Sequence, residues 1–208
     1  MPIFKSHDIE AADQYFRRNL INSVTGFKSA SLLGSRSSQG KNNLAIFTQI
    51  MHIGAHPPLM GIVFRPHTVT RDSLENILET KCYTLNHFIA DFHVAAHHTS
   101  ARWDKDEFEA CGFTPQFIEQ FEAPFVKEAP IRIGLKFRQK IDIELNGTHL
   151  VIGEIVLLDV ADHCLHTDGF VDLEKAGIVT VSGLDSYHVT QKLSRLSYAK
   201  PDHQPKQV

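Results

Sequence analysis

The chain has little cysteine, a single tryptophan and no strong charge of either sign. Its 208 residues hold 3 Cys and 1 Trp, with a formal net charge of −3. Cys82, Cys111 and Cys164 are odd in number, widely spaced and lack a C-x-x-C pair. That argues against a disulfide framework and against a Cys-based zinc site. Without a basic excess there is no reason to expect a nucleic-acid partner. No apolar run is long enough to cross a membrane, and the opening MPIFKSHDIEAADQ has no apolar core of a signal peptide. The expectation is a cytoplasmic protein with no membrane partner. No G-x-G-x-x-G opens a helix after a strand, so a Rossmann fold is not expected. There is no internal repeat.

What is present is 42% hydrophobic residues, enough for a sizeable core in one domain over residues 1–208. Residues 8–22 read as an N-terminal helix, because Ile9, Ala12, Tyr15, Phe16 and Leu20 approach helical spacing. A strand follows Gly26, then a flexible Gly34–Asn42 turn. Asn43–Ile53 reads as one strand and Leu59–Phe64 as the next, with Pro57 and Pro58 confined to the connection. A short helix follows, with Leu74, Ile77 and Leu78 on its buried face and either Thr70 or Asp72 as N-cap. Cys82–Leu85 favours a strand, and residues 88–97 a helix. Asp104–Ala110 forms a helix stopped by Gly112, and Thr114-Pro115 starts another.

The alternation of Ile131, Ile133, Leu135 and Phe137, then Ile141, Ile143 and Leu145, ends at Asn146-Gly147 and predicts a hairpin. A two-residue loop would set Leu145 opposite Thr148, Ile143 opposite Leu150 and Ile141 opposite Ile152. From Asp172 onward the chain reads as short turns and helices. The fold class is therefore mainly β with added helices, a small antiparallel barrel.

Thr70, Arg71 and Ser73 form a candidate phosphate site, since a helix N-terminus offers free N–H groups and Arg71 adds a bidentate donor. The competing reading is an ordinary capped surface helix. The 13 His raise a metal alternative. His93 and His97 share a helix face and His98 is adjacent, but the Glu of H-E-x-x-H is missing and no third ligand is evident. No metal site is assigned. Cys82 and Cys164 read as inert core thiols, and Trp103 as a packing residue.

Several stretches occur together in a telling order: NLAIFTQIMHIGAHPPLMGIVF, TRDSLENILETKCYTLN, DKDEFEACGFTP, EAPIRIGLKF, GEIVLLDV, GLDSYH and LSYAKP. Over roughly residues 25–201 the chain resembles the flavin reductase-like family, FMN-binding split barrels that include flavoredoxin-type proteins. The resemblance implies a homodimer with one FMN per subunit near the interface; FAD is the lesser choice. It implies hydride or electron transfer between NAD(P)H and the flavin, with the final acceptor unnamed and no protein nucleophile. The alternative is a flavin-binding electron carrier or store without its own NAD(P)H reaction.

Asn43 and Asn86 match asparagines of the family, and Thr48 falls where a small hydroxyl residue meets the flavin, followed by Gln49. These four, with Thr70, Arg71 and Ser73, are the expected cofactor-binding residues. Each has a plainer reading: strand-end asparagines, a half-buried strand threonine, a helix cap. Gln49-Ile50-Met51-His52 departs from the usual family pattern.

Overall fold

The computed structural model describes residues 1–66 and 71–208. The N-terminal region is two helices rather than one, α1 (Ser6–Ala11) and α2 (Gln14–Ser23). The break arises because Ala12 is extended and the Asp13 carboxylate accepts from the Tyr15 and Phe16 N–H groups, starting a new helix.

The strands that follow are β1 (Lys28–Ser29), β2 (Ser31–Arg36), β3 (Asn42–Phe47), β4 (Ile50–Ala55) and β5 (Pro58–Phe64). Next come α3 (Asp72–Thr80), β6 (Cys82–His87), α4 (His93–His98) and α5 (Glu107–Cys111). The rest is β7 (Pro115–Gln116), β8 (Phe125–Val126), β9 (Ile131–Ile143), β10 (Thr148–Val160), β11 (Thr180–Ser182) and β12 (Ser186–His188). Thr114-Pro115 does not start a helix: Pro115 and Gln116 pair with Val126 and Phe125. Beyond Asp172 the described residues contain β11, β12 and isolated bridges, and no helix.

One seven-stranded antiparallel sheet dominates, in the order β3-β2-β6-β9-β10-β5-β4. Its two edges, β3 and β4, are consecutive in the chain and separated only by Thr48 and Gln49. So short a link forces the edges together at one corner, and the sheet curls into a barrel that is split along β3 and β4. Asn43–Ile53 is thus two strands, not one.

The period-2 alternation sorts side chains to two cores. Leu33, Ile62, Phe64, Tyr83, Leu85, Leu135 and Val151 fill one, closed by Leu74 and Ile77 of α3. Leu32, Leu44, Phe88, Ala96, Phe108, Phe113 and Val181 form the second, under α4, α5 and β11. In the long hairpin Ile143 faces Thr148 and Ile141 faces Leu150, a register two residues from the expected one. The loop has four residues, with Gly147 at φ 71 and its N–H bonded to the Ile143 carbonyl. A shift of two leaves every side chain on its intended face.

His87 ends β6, partly buried, with Nδ1 3.4 Å from the Ser31 hydroxyl and from the Ala30 carbonyl. Burial lowers its pKa below the usual imidazole value. The unfolded chain therefore binds this proton more readily, so stability is complete above about pH 6.5. It falls as pH drops toward the lower folded pKa, by at most about 1.4 kcal/mol per pH unit. Thermal unfolding at several pH values checks this, with the acid-side loss expected to shrink in His87→Gln; an unchanged slope would assign it to other groups.

Candidate cofactor site at the barrel seam

Three pieces of chain meet at one end of β5. The Gln49 carbonyl accepts from the Val63 N–H at 3.0 Å, which ties the β3–β4 link to β5. Two residues past β5, the Pro66 carbonyl accepts from Arg71 Nε at 3.1 Å. The link that carries Thr48 and Gln49 is thus tethered at Val63, and Arg71 at Pro66, just past the end of the same strand. Thr48 is half-buried and Gln49 exposed, and neither side chain has a hydrogen-bond partner among the described residues. Arg71 uses only Nε, so the rest of its guanidinium has no carboxylate partner among the described residues.

The start of α3 sits beside them. Arg71 is the N-cap residue in place of Thr70 or Asp72, with no side chain capping the helix. The Leu74 and Glu75 N–H groups turn back to the Arg71 carbonyl. Those of Asp72 and Ser73 have no acceptor among the described residues. Asp72 and Glu75 bring negative charge to the same first turn. Thr70 lies outside the described residues.

Asn43 and Ser73 also come together, but beneath this corner. Asn43 Nδ2 donates to Ser73 Oγ at 2.8 Å and to Ser35 Oγ at 3.2 Å, and Asn76 Nδ2 donates to the same Ser35 oxygen at 3.2 Å. All four side chains are buried. This cluster pins α3 to β2 and β3, so it sets where Arg71 and the helix start lie. Ser35 and Asn76 went unread in the sequence. Neither carries a signal: helical spacing sets Asn76 off the stripe of Leu74, Ile77 and Leu78, and Ser35 falls in a stretch that reads as a turn.

A cavity of about 80 Å³ opens beside the cluster, lined by Ser37, Asn42, Asn43, Asp72, Asn76 and Glu107 among others. The Glu107 carboxylate accepts from the Leu44 N–H of the edge strand β3 at 3.2 Å, and burial raises its pKa. A larger cavity, about 390 Å³, lies among Arg36–Gly40, Thr80, Cys82 and Glu122 and contains none of the expected cofactor residues.

Asn86 stands apart, fully enclosed on β6. Its Nδ2 donates to the Leu32 carbonyl at 3.0 Å and to Thr84 Oγ1 at 2.9 Å, and its Oδ1 accepts from the Val126 N–H at 3.0 Å. Both ends of the amide are used inside the protein, holding β8 against β6 and β2.

Residues 28–173 match the model of the flavin reductase like domain. The chain belongs to the flavin reductase-like family. Among solved structures, it is similar to a putative flavin reductase with split barrel domain from Shewanella frigidimarina NCIMB 400, with 44% identity and a TM-score of 0.92. That match covers 96% of this chain and 100% of the other. The nitrilotriacetate monooxygenase component B of Bacillus cereus shares the fold at 20% identity and a TM-score of 0.83, covering 94% and 98% of the two chains. Flavoredoxin of Desulfovibrio vulgaris (Miyazaki F) does so at 24% identity and a TM-score of 0.69, covering 84% and 91%. No curated protein matches the chain. The flavin reductase-like relatives identify the curled, unclosed sheet as a split barrel. No helix among the described residues is long and apolar enough to cross a membrane.

Proposed function

We propose that this flavin reductase-like protein binds FMN at the seam and works as an oxidoreductase, passing hydride or electrons between NAD(P)H and the flavin. The single observation that carries the reading is the convergence of unpartnered donors at one end of β5. The fit to a flavin nucleotide is chemical. A flavin ring edge needs neutral donors and acceptors, which the Thr48 and Gln49 side chains supply. Its phosphate needs a cation and free N–H groups, which Arg71 and the uncapped start of α3 supply. Asn43 and Ser73 act by fixing that helix start, and Asn86 by holding the strands behind the barrel. When bound, the flavin supplies the redox chemistry. The chain's own residues bind it, orient its ring and set its surroundings.

The test is the absorption spectrum of the protein after FMN addition and desalting, followed by NADH and NADPH. Retained flavin bands, bleached by one of the two, are expected. Retained bands bleached only by dithionite would make the chain a flavin-binding electron carrier or store. In Arg71→Ala, FMN affinity is expected to fall about tenfold or more, from loss of a charge-assisted phosphate contact. An unchanged affinity would remove the phosphate from this helix start.

We also propose a homodimer through the outer face of β4, β5 and β10. Met51 and Ile53 are exposed there, and with Leu150 they converge over Gly61. A Cβ on Gly61 would lie 3.0 Å from Ile53 Cδ1, 3.1 Å from Leu150 Cδ1 and 3.2 Å from Met51 Cγ. An apolar patch on a sheet face next to the seam suits a second copy of the same surface. The mass in solution is expected to be twice that of the chain; a monomer at micromolar concentration would refute this.

A further inference from the structure

A pair of imidazoles far from the seam in sequence shares one helix face and one neighbour. His93 and His97 are one turn apart on α4, on one helix face, and both are exposed. Their rings flank the same side chain, with centroids 5.7 and 5.8 Å from that of Tyr187 on β12. His93 Nδ1 lies 2.6 Å from the Ala90 carbonyl, which can only accept, so Nδ1 carries the proton and Nε2 keeps its lone pair in the neutral ring. His97 Nδ1 lies 2.9 Å from the Tyr187 hydroxyl. The Tyr187 hydroxyl oxygen can accept from Nδ1. Each ring is thus anchored through Nδ1 by a neighbouring oxygen. That outer-shell bond orients a metal-binding histidine and leaves Nε2 for the ion.

We propose that His93 and His97 form an open two-histidine site for a divalent first-row transition ion of the Cu2+ or Zn2+ class. Imidazole nitrogen suits these ions, and Cu2+ binds most tightly in the series. Among the described residues no cluster of three or more His, Cys, Asp or Glu is placed to hold a metal, so water or an outside ligand fills the other positions. At His97 the ion selects the tautomer with the proton on Nδ1. Through Tyr187 the bound ion would tie α4 to β12, on the side of the second core.

The chain carries its own reporter. Trp103, the single tryptophan, donates from Nε1 to the His98 carbonyl at 3.1 Å, and its ring lies 4.7 Å from that of His98. Cu2+ is titrated into untagged, chelator-treated protein while Trp103 emission is followed. Quenching that saturates at one equivalent is expected. His93→Ala and His97→Ala should each weaken binding about tenfold or more, since each removes one of two ligands. His98→Ala should leave the affinity unchanged. Both lost side chains are exposed, and matched thermal transitions would show that the variants fold. No saturable quenching in the wild-type chain would overturn the proposal. So would wild-type affinity in both single variants, or loss of binding only in His98→Ala.

Discussion

Gly34→Ala is expected to cost about 3 kcal/mol or more of folding stability, the range of severe overpacking. A Cβ at position 34 would sit 2.2 Å from the Pro124 carbonyl oxygen and 2.6 Å from Thr84 Oγ1. Those two atoms are already bonded to each other, with Thr84 donating to Pro124 at 2.6 Å. The obstacle is backbone, held down on both sides, and a rotamer change cannot remove it. To admit the methyl group, the segment carrying Pro124 must lift off β2, which breaks the Thr84 bond and strains the Asn86 bond to Val126. Denaturant unfolding of the two proteins decides it. A loss under about 1 kcal/mol would mean that the segment crosses β2 loosely.

The second large effect is at Asn86, and it separates two roles. Replacement by alanine removes the bonds to the Leu32 carbonyl, Thr84 Oγ1 and the Val126 N–H at an enclosed position. Three neutral hydrogen bonds contribute about 1 kcal/mol each, and a buried N–H left without a partner adds to the cost. A loss of about 3 kcal/mol or more is expected, with FMN affinity unchanged under conditions where the variant is folded. If Asn86 instead touches the flavin, affinity must fall even in fully folded protein. Measuring unfolding and FMN binding on the same sample separates the two.

Much of the barrel could be read from the chain because its strands alternate cleanly. Tyr83 and Thr84 marked β6, and the β9–β10 hairpin was announced by its own pattern. Its register departs from that pattern because Asn146-Gly147 ends a four-residue loop and does not form a two-residue turn. The break at Thr48 was invisible, since neither Thr48 nor Gln49 is a residue that interrupts strands. Pro115 suits the first turn of a helix and an edge strand equally well, and pairing with β8 decided it. At the site, residue types were legible and directions were not. Asn43 and Ser73 stand out for their polar groups, but it is the bond between them and the Asn43 bond to Ser35 that turn those groups inward. Arg71 stands out in sequence by its charge beside a helix start; that the helix start lacks a side-chain cap shows only in the structure.

The seam between β3 and β4 behaves like a clasp. The most widely separated strands of the sheet are joined by the shortest connection between them, so holding them close costs almost no loop entropy. No ladder runs between these two edges, so the two-residue link and its one bond to β5 hold that corner. Their backbone groups need not be taken from a partner strand before a ligand can use them. A planar guest edge set against the clasp would complete the hydrogen bonding of two strands at once, and its removal would leave the neighbouring ladders intact.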